Sequence, residues 1–227
     1  MASTASVVFL IDVDNTLLDN DHVIADLGEH LTAAFGADRQ EEYWRVFDSI
    51  RDELGYADYL GALQRYRARH PWDPKFIEVS LFLLDYPFAN RLYPQSLDVI
   101  KRLRSYAPTA ILTDGDVVFQ PRKIERSGLL DAVDGQVLIF IHKEAELAEV
   151  EKRYPAEHYV MIDDKLRILT AMKKIWGGRL TTVFPRQGHY AADPEVLANN
   201  PPADVTIDRI GELLNWDLDR LVSASRR

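Results

Sequence analysis

Short apolar segments alternate with segments of helical periodicity over most of this 227-residue chain, and this alternation restricts its fold more than any other feature. The apolar segments carry hydrophobic residues at successive positions, which is typical of parallel strands covered on both faces. Strands are predicted at residues 7–13, 110–113, 137–141, 159–162 and 180–184, with a short sixth at 205–207. The order of elements therefore predicts an α/β fold with a doubly wound parallel sheet.

Helices are predicted between these strands at residues 95–106, 144–154 and 166–176. In the first of them Leu97, Ile100 and Leu103 form one apolar stripe at helical spacing. Two glycines follow the third, which is a common way for a helix to end.

Residues 20–91 interrupt the alternation, because they contain helical patterns and no convincing strand. Val23, Leu27 and Leu31, for example, recur at the spacing of one helix face. The sequence thus predicts one core domain formed by residues 1–19 and 92–227, with a helical domain of residues 20–91 inserted after the first strand. Ligands of open α/β sheets bind beyond the carboxyl ends of the strands, so this insertion would lie over the site.

Composition excludes several classes of protein. The net charge of −9 argues against binding of nucleic acid through a broad basic face. The absence of cysteine excludes thiolate metal sites and cysteine nucleophiles, so any metal would need oxygen or imidazole ligands. No apolar run approaches the ~20 residues of a membrane span, and residues 1–6 lack the features of a secretory signal. A cytoplasmic protein that binds neither membrane nor nucleic acid is expected, with an oligomeric state that the sequence does not indicate.

Two carboxylates, Asp12 and Asp14, follow the first apolar strand. Their burial would be costly unless positive charge lies between them, and a divalent cation with oxygen ligands would supply it. An EF-hand calcium loop does not fit, because Leu17 stands where that loop needs glycine and Val23 where it needs glutamate. A solvated turn after the strand is the simpler alternative.

Three further strand ends carry polar residues that favour a site over a solvated turn. Thr113, Asp114 and Gly115 supply a hydroxyl group, successive backbone amides and a permissive glycine, which together resemble an anion nest. The next two strands are followed by Lys143 and by the pair Asp163 and Asp164. Acidic clusters, a cation and a hydroxyl group at one edge of a sheet are suited to Mg²⁺ and an oxyanion.

These motifs resemble those of the haloacid dehalogenase (HAD) superfamily of hydrolases. The resemblance rests on Asp12-Val-Asp14-Asn-Thr16, Leu112-Thr113-Asp-Gly115, Lys143 and Asp163-Asp164, which span most of the chain. It implies a Rossmann-like core, with residues 20–91 as a mobile α-helical cap, and a Mg²⁺ site between them.

The resemblance also implies a role for each motif residue. Asp12 would be the nucleophile that forms an aspartyl-phosphate, and Asp14 the general acid and then the general base. Thr113 and Lys143 would assist catalysis, and the substrate phosphoryl group would be bound by Thr113, Asp114, Gly115 and Lys143. The metal would be held by Asp12, Asp14, Asp164 and Asp163, with Asp164 as the more direct ligand of the last two and Asp163 on a metal-bound water.

Asp14 favours phosphoryl transfer, because the family's dehalogenases lack an acidic residue two positions after the nucleophile. The expected function is therefore a Mg²⁺-dependent phosphatase of a small phosphorylated metabolite. Dehalogenation of 2-haloacids, phosphonate cleavage, a phosphomutase reaction and a noncatalytic binding module are the alternatives. Lys75, the only lysine within 20–91, lies beside prolines and makes an unconvincing phosphonatase lysine, whereas Lys123 competes with Lys143 for the third motif.

Overall fold

The computed structural model describes residues 4–226, which form a parallel β-sheet with helices on both faces. Within that range the sheet has six strands: β1 (Ala5–Ile11), β2 (Thr109–Asp114), β3 (Val137–Phe140), β4 (Ala156–Ile162), β5 (Leu180–Pro185) and β6 (Val205–Ile207). Their order is β3-β2-β1-β4-β5-β6, and every pairing is parallel. The doubly wound, Rossmann-like α/β fold predicted from the sequence is confirmed.

Both faces of the sheet are buried, which explains the continuous apolar runs of the strands. In β1 the side chains of Val7, Phe9 and Ile11 join one hydrophobic core, whereas Val8 and Leu10 join the other. The central position of β1 between β2 and β4 therefore places its carboxyl end, and Asp12 after it, in the middle of one edge of the sheet.

Helices of the core surround this sheet. They are α5 (Ser96–Tyr106), α6 (Phe119–Arg126), α7 (Leu129–Ala132), α8 (Leu147–Arg153), α9 (Leu166–Trp176), α10 (Gly188–Ala192), α11 (Pro194–Asn199) and α12 (Leu218–Val222). Single 3-10 segments occur at Phe88–Arg91, Lys143–Ala145, Gly177–Arg179, Ile210–Asn215 and Ala224–Arg226.

The prediction of a single helix over residues 144–154 is wrong for its first turn. The chain instead forms a 3-10 turn at Lys143–Ala145, and α8 begins only at Leu147. The backbone N–H of Lys143 donates to the carboxylate of Asp114 at 2.7 Å, which holds the start of this segment against β2. A tertiary hydrogen bond thus overrides the local helical pattern.

Residues 20–91 are helical, with α1 (Asn20–Phe35), α2 (Ala37–Leu54), α3 (Tyr59–Arg69) and α4 (Phe76–Asp85). The chain leaves and re-enters the core through two adjacent segments: Asp19 N–H donates to Arg91 C=O at 2.7 Å, and Tyr93 N–H donates to Leu17 C=O at 2.9 Å. The division into a core of 1–19 and 92–227 and a cap of 20–91 stays a prediction. Across the described residues, none of the helices is long and apolar enough to cross a bilayer.

Asp204 links the start of β6 to β5 and α9, and its carboxylate should stabilise the fold in a pH-dependent way. It accepts hydrogen bonds from Thr182 N–H at 2.8 Å and Lys173 Nζ at 2.7 Å. Burial opposes ionisation, but these donors hold the pKa of Asp204 below its usual value. The stabilisation is therefore complete above the ordinary aspartate pKa and is lost as the pH falls through the folded-state value.

We expect Asp204→Asn to lower the free energy of unfolding at pH 7 by about 1–2 kcal/mol, because charge-assisted hydrogen bonds are lost. Urea unfolding of both proteins at pH 7 and at pH 3 measures this difference, which should shrink at the lower pH. An equal difference at both pH values would contradict the assignment.

Candidate active site

The ammonium group of Lys143 lies between two buried carboxylates. Its Nζ is 2.5 Å from Asp12 Oδ1 and 2.6 Å from Asp163 Oδ2, and all three side chains are almost fully buried. Burial opposes the charged form of Lys143, but the carboxylates of Asp12 and Asp163 hold its pKa above the ordinary value. The lysine therefore remains protonated and joins the ends of β1 and β4 to the segment after β3.

Asp164, unlike Lys143, has a charged group without a hydrogen-bond partner in the described part of the chain. Both of its oxygens are buried, and among residues 4–226 neither has a hydrogen-bond partner. Burial, followed by the charge of Asp163, raises the pKa of Asp164 well above its usual value. Asp163, by contrast, already accepts a hydrogen bond from Lys165 N–H at 2.8 Å and pairs with Lys143. An unpartnered buried carboxylate is costly in the folded state, and a cation bound to its oxygens would offset that cost.

The carboxylates of Asp12, Asp163 and Asp164 could hold a metal ion together. Each offers an oxygen, and these oxygens all lie within 4.8 Å of one another. An all-oxygen, anionic donor set suits a hard divalent cation such as Mg²⁺, and the orphaned oxygens of Asp164 give it an unused ligand. Three of the four predicted ligands thus fit the predicted metal, whereas the carboxylate of Asp14 lies outside this group and pairs with Lys123.

Thr16 connects two of these carboxylates, although the sequence analysis assigned it no role. Its side chain is fully buried, and its Oγ1 accepts a hydrogen bond from Asp164 N–H at 3.1 Å. The same hydroxyl group donates to Asp12 Oδ2 at 3.4 Å. Thr16 therefore fixes the backbone after β4 relative to the side chain after β1.

The carboxylate of Asp14 contacts Lys123, the lysine that competes with Lys143 for the third motif. Lys123, on α6, is buried, and its Nζ lies 2.5 Å from Asp14 Oδ1 and 2.9 Å from Asn20 Oδ1. Asp14 itself is a quarter exposed, at 25%. Each lysine thus has its own carboxylate, and it is Lys143, not Lys123, that contacts Asp12.

The end of β2 brings Thr113 to the same edge, next to β1. The buried Thr113 Oγ1 accepts a hydrogen bond from Gln120 Nε2 at 3.0 Å. Gly115 permits this contact, since a Cβ there would lie 2.5 Å from Gln120 Cβ. However, Gly115 N–H donates to Phe140 C=O at 2.9 Å, so this amide does not contribute to an anion nest.

Burial raises the pKa of Asp114, whose carboxylate accepts a hydrogen bond from Lys143 N–H.

A cavity of about 1050 Å³ is lined by some of these residues and by the helical segment. The core contributes Asp14, Asp114, Lys123, Lys165 and His142, and the helical segment contributes Trp44, Phe47, Arg51, Tyr56 and Tyr59. The two parts touch closely at Gly55, where a Cβ would lie 2.8 Å from the His142 ring. The helical segment therefore covers the cavity, as expected for an insertion at this point of the fold.

Sequence reasoning missed three groups that the structure adds: Thr16, Gln120 and Lys165. Thr16 belongs to the first motif and Lys165 directly follows the last, so their positions in the sequence were an available signal. Gln120 gave no such signal, because its contact with Thr113 depends on how α6 packs against β2.

We expect Thr16→Val to destabilise the protein by about 1–3 kcal/mol, because Asp164 N–H would be buried without an acceptor. Thr16→Ser is the matched control, since it retains the hydroxyl group and should cost less. Urea unfolding of the two variants measures the difference. Equal stability of the valine and serine variants would contradict the role of this hydrogen bond.

This chain is similar to several proteins of known structure. A haloacid dehalogenase-like hydrolase from Burkholderia xenovorans LB400 is 62% identical, with a TM-score of 0.90 over 94% of this chain and 99% of that one. A HAD hydrolase from Bacillus subtilis bound to magnesium is 18% identical, with a TM-score of 0.61 over 93% and 98%. An L-2-haloacid dehalogenase from Xanthobacter autotrophicus is also 18% identical, with a TM-score of 0.58 over 93% and 98%. The two distant structures show the shared fold alone.

A search of curated proteins gives no significant match. The family model described as haloacid dehalogenase-like hydrolase matches residues 7–175, which include every motif residue discussed above. The chain therefore belongs to the haloacid dehalogenase-like hydrolase family.

Proposed function

We propose that this hydrolase is a Mg²⁺-dependent phosphatase that acts on a small phosphorylated metabolite through an aspartyl-phosphate on Asp12. The observation that carries the proposal is the placement of Asp14. Its carboxylate lines the cavity two residues after Asp12, and the buried Lys123 orients it. A leaving alkoxide needs a proton donor at this place, whereas a leaving halide needs none.

The proposed reaction has two steps on residues of this chain. An oxygen of Asp12 attacks phosphorus, the bond to the leaving oxygen breaks, and that oxygen takes a proton from Asp14. Asp14 then accepts a proton from water, whose oxygen attacks phosphorus and releases phosphate and the free Asp12 carboxylate. Lys143, which contacts Asp12, reduces the repulsion between the nucleophile and the anionic substrate.

Three carboxylates would hold Mg²⁺ in this proposal, namely those of Asp12, Asp164 and, through water, Asp163. When bound, the cation would supply the positive charge that offsets the approach of a carboxylate to a phosphoryl group. Asp163 is suited to the less direct role because Lys143 and Lys165 N–H already occupy its oxygens. A magnesium-bound hydrolase of the same fold supports the choice of metal.

Dehalogenation of 2-haloacids is the second candidate, since an L-2-haloacid dehalogenase shares the fold. The acidic Asp14 disfavours it. Phosphonate cleavage through a lysine of the helical segment is disfavoured as well, because Lys75 is exposed and lies outside the cavity lining. Measurements of turnover alone distinguish a phosphomutase and a noncatalytic module from the proposed phosphatase.

Metal binding should depend on Asp164. We expect Asp164→Asn to weaken Mg²⁺ binding at least tenfold in isothermal titration calorimetry. Without metal the variant should be at least as stable as the parent, because a buried and unpartnered charge is removed. Asp98→Asn, the same change at an exposed position of α5, is the control. Unchanged Mg²⁺ affinity in Asp164→Asn would contradict the assigned site.

Catalysis should depend on Asp12. Hydrolysis of para-nitrophenyl phosphate and of a panel of phosphorylated metabolites, with Mg²⁺ or with chelator, tests the function. We expect Asp12→Asn to abolish turnover, with thermal unfolding as the check that the variant is folded. Activity that survives the substitution or the chelator would reject the mechanism, and halide release from 2-haloacids would favour dehalogenation.

A further inference from the structure

Lys165 differs from the other two lysines around the acidic cluster. Lys143 pairs with Asp12 and Asp163, and Lys123 pairs with Asp14. Within residues 4–226 the ammonium of Lys165 has neither an ion-pair partner within 4.0 Å nor a hydrogen bond, although the side chain lines the cavity. Its three N–H donors are therefore available to a molecule in the cavity.

The ammonium group of Lys165 is partly buried, and its N–H donors have no hydrogen-bond acceptor among residues 4–226. Such a group is costly to bury, so a ligand that supplies an anion here would gain affinity.

The position of Lys165 separates it from the predicted phosphoryl site. Thr113 is the penultimate residue of β2, whereas Lys165 follows β4, and β1 lies between these two strands. Adjacent strands are about 4.8 Å apart, so the two strand ends are separated by about 10 Å. The Lys165 ammonium lies over the Tyr190 ring, 5.4 Å from its centroid, on the segment that follows β5. The aromatic contact thus holds the cation beside α10, the helix that carries Tyr190.

We propose that Lys165 binds a second anionic group of the substrate, carried by the leaving alcohol of the phosphomonoester. The substrate class would be a phosphorylated hydroxy acid or a bisphosphate. The cavity of about 1050 Å³ has room for such a molecule beyond its phosphoryl group. This inference rests on the proposed phosphatase function.

The other cations of the cavity make the role of Lys165 specific. Arg51, Lys123 and Arg167 also line the cavity, but each of them pairs with a carboxylate. Asp193 and Glu195 add negative charge to the same lining. Asp193 is occupied in part, since its carboxylate accepts the N–H of Glu195 at 2.8 Å at the start of α11. An anion beside α10 therefore depends on a direct contact with the ammonium group of Lys165.

Paired substrates test the proposal, because each pair differs in one anionic group. We would compare 3-phosphoglycerate with glycerol 3-phosphate for a carboxylate, and 1,3-propanediol bisphosphate with the monophosphate for a second phosphate. We expect the enzyme to prefer the anionic member of at least one pair. Lys165→Gln should lower kcat/KM for that member at least tenfold relative to kcat/KM for the member without the second anionic group. Lys165→Arg should retain most of the preference. Lys101→Gln, at an exposed position of α5, is the matched control.

Equal losses for both members of each pair would overturn the proposal, since Lys165 would then act only on the acidic cluster. A parent enzyme without preference for either anionic member would overturn it as well.

Binding gives a second readout that does not need turnover. Titration with glycerate and with glycerol, followed by protein NMR, should show binding of glycerate that is lost in Lys165→Gln. If no phosphomonoester is hydrolysed, the proposed function fails, and this titration still decides the role of Lys165. Equal responses of the parent and Lys165→Gln to glycerate would overturn it.

Discussion

The contact of Lys143 with Asp12 and Asp163 is the interaction on which the site depends. Parallel strands bring several carboxylates to one edge of the sheet, where water does not screen their repulsion. One buried ammonium group, 2.5 Å and 2.6 Å from two of them, offsets part of that repulsion and joins three strand ends. The 3-10 turn at Lys143–Ala145 follows from the same requirement, because it delivers the lysine to this position.

Other polar and charged groups of the site surround that contact. Lys123 serves Asp14, and the hydroxyl group of Thr16 joins Asp12 to the backbone of Asp164. These bonds connect elements that are far apart in sequence, so they position the carboxylates relative to one another. The helical segment, which contacts the core at Gly55 and His142, then covers the cavity that Asp14 lines.

Asp164 shows that the site is not optimised for stability. Its two buried oxygens lack hydrogen-bond partners among the described residues, and its raised pKa reflects the cost of keeping it charged. Natural proteins accept such costs at functional sites, where a ligand compensates for them. Lys165 also lines the cavity without an ion-pair partner within 4.0 Å among the described residues, and its ammonium group lies over the Tyr190 ring. In the proposed function the two charges would bind a cation and an anionic substrate, respectively.

The sequence by itself determined the parallel sheet, the helical nature of residues 20–91 and the strand ends at which polar residues gather. These follow from local patterns: apolar runs report buried strands, and parallel strands bring their carboxyl ends to one edge. Only the tertiary structure decided which lysine pairs with Asp12, where α8 begins, and that Gly115 N–H is engaged with β3. It also revealed Thr16 as a bridge, Gln120 as the partner of Thr113 and Lys165 as a cation without an ion-pair partner within residues 4–226. Such facts depend on distances between residues that are remote along the chain, and a local pattern contains no record of those distances.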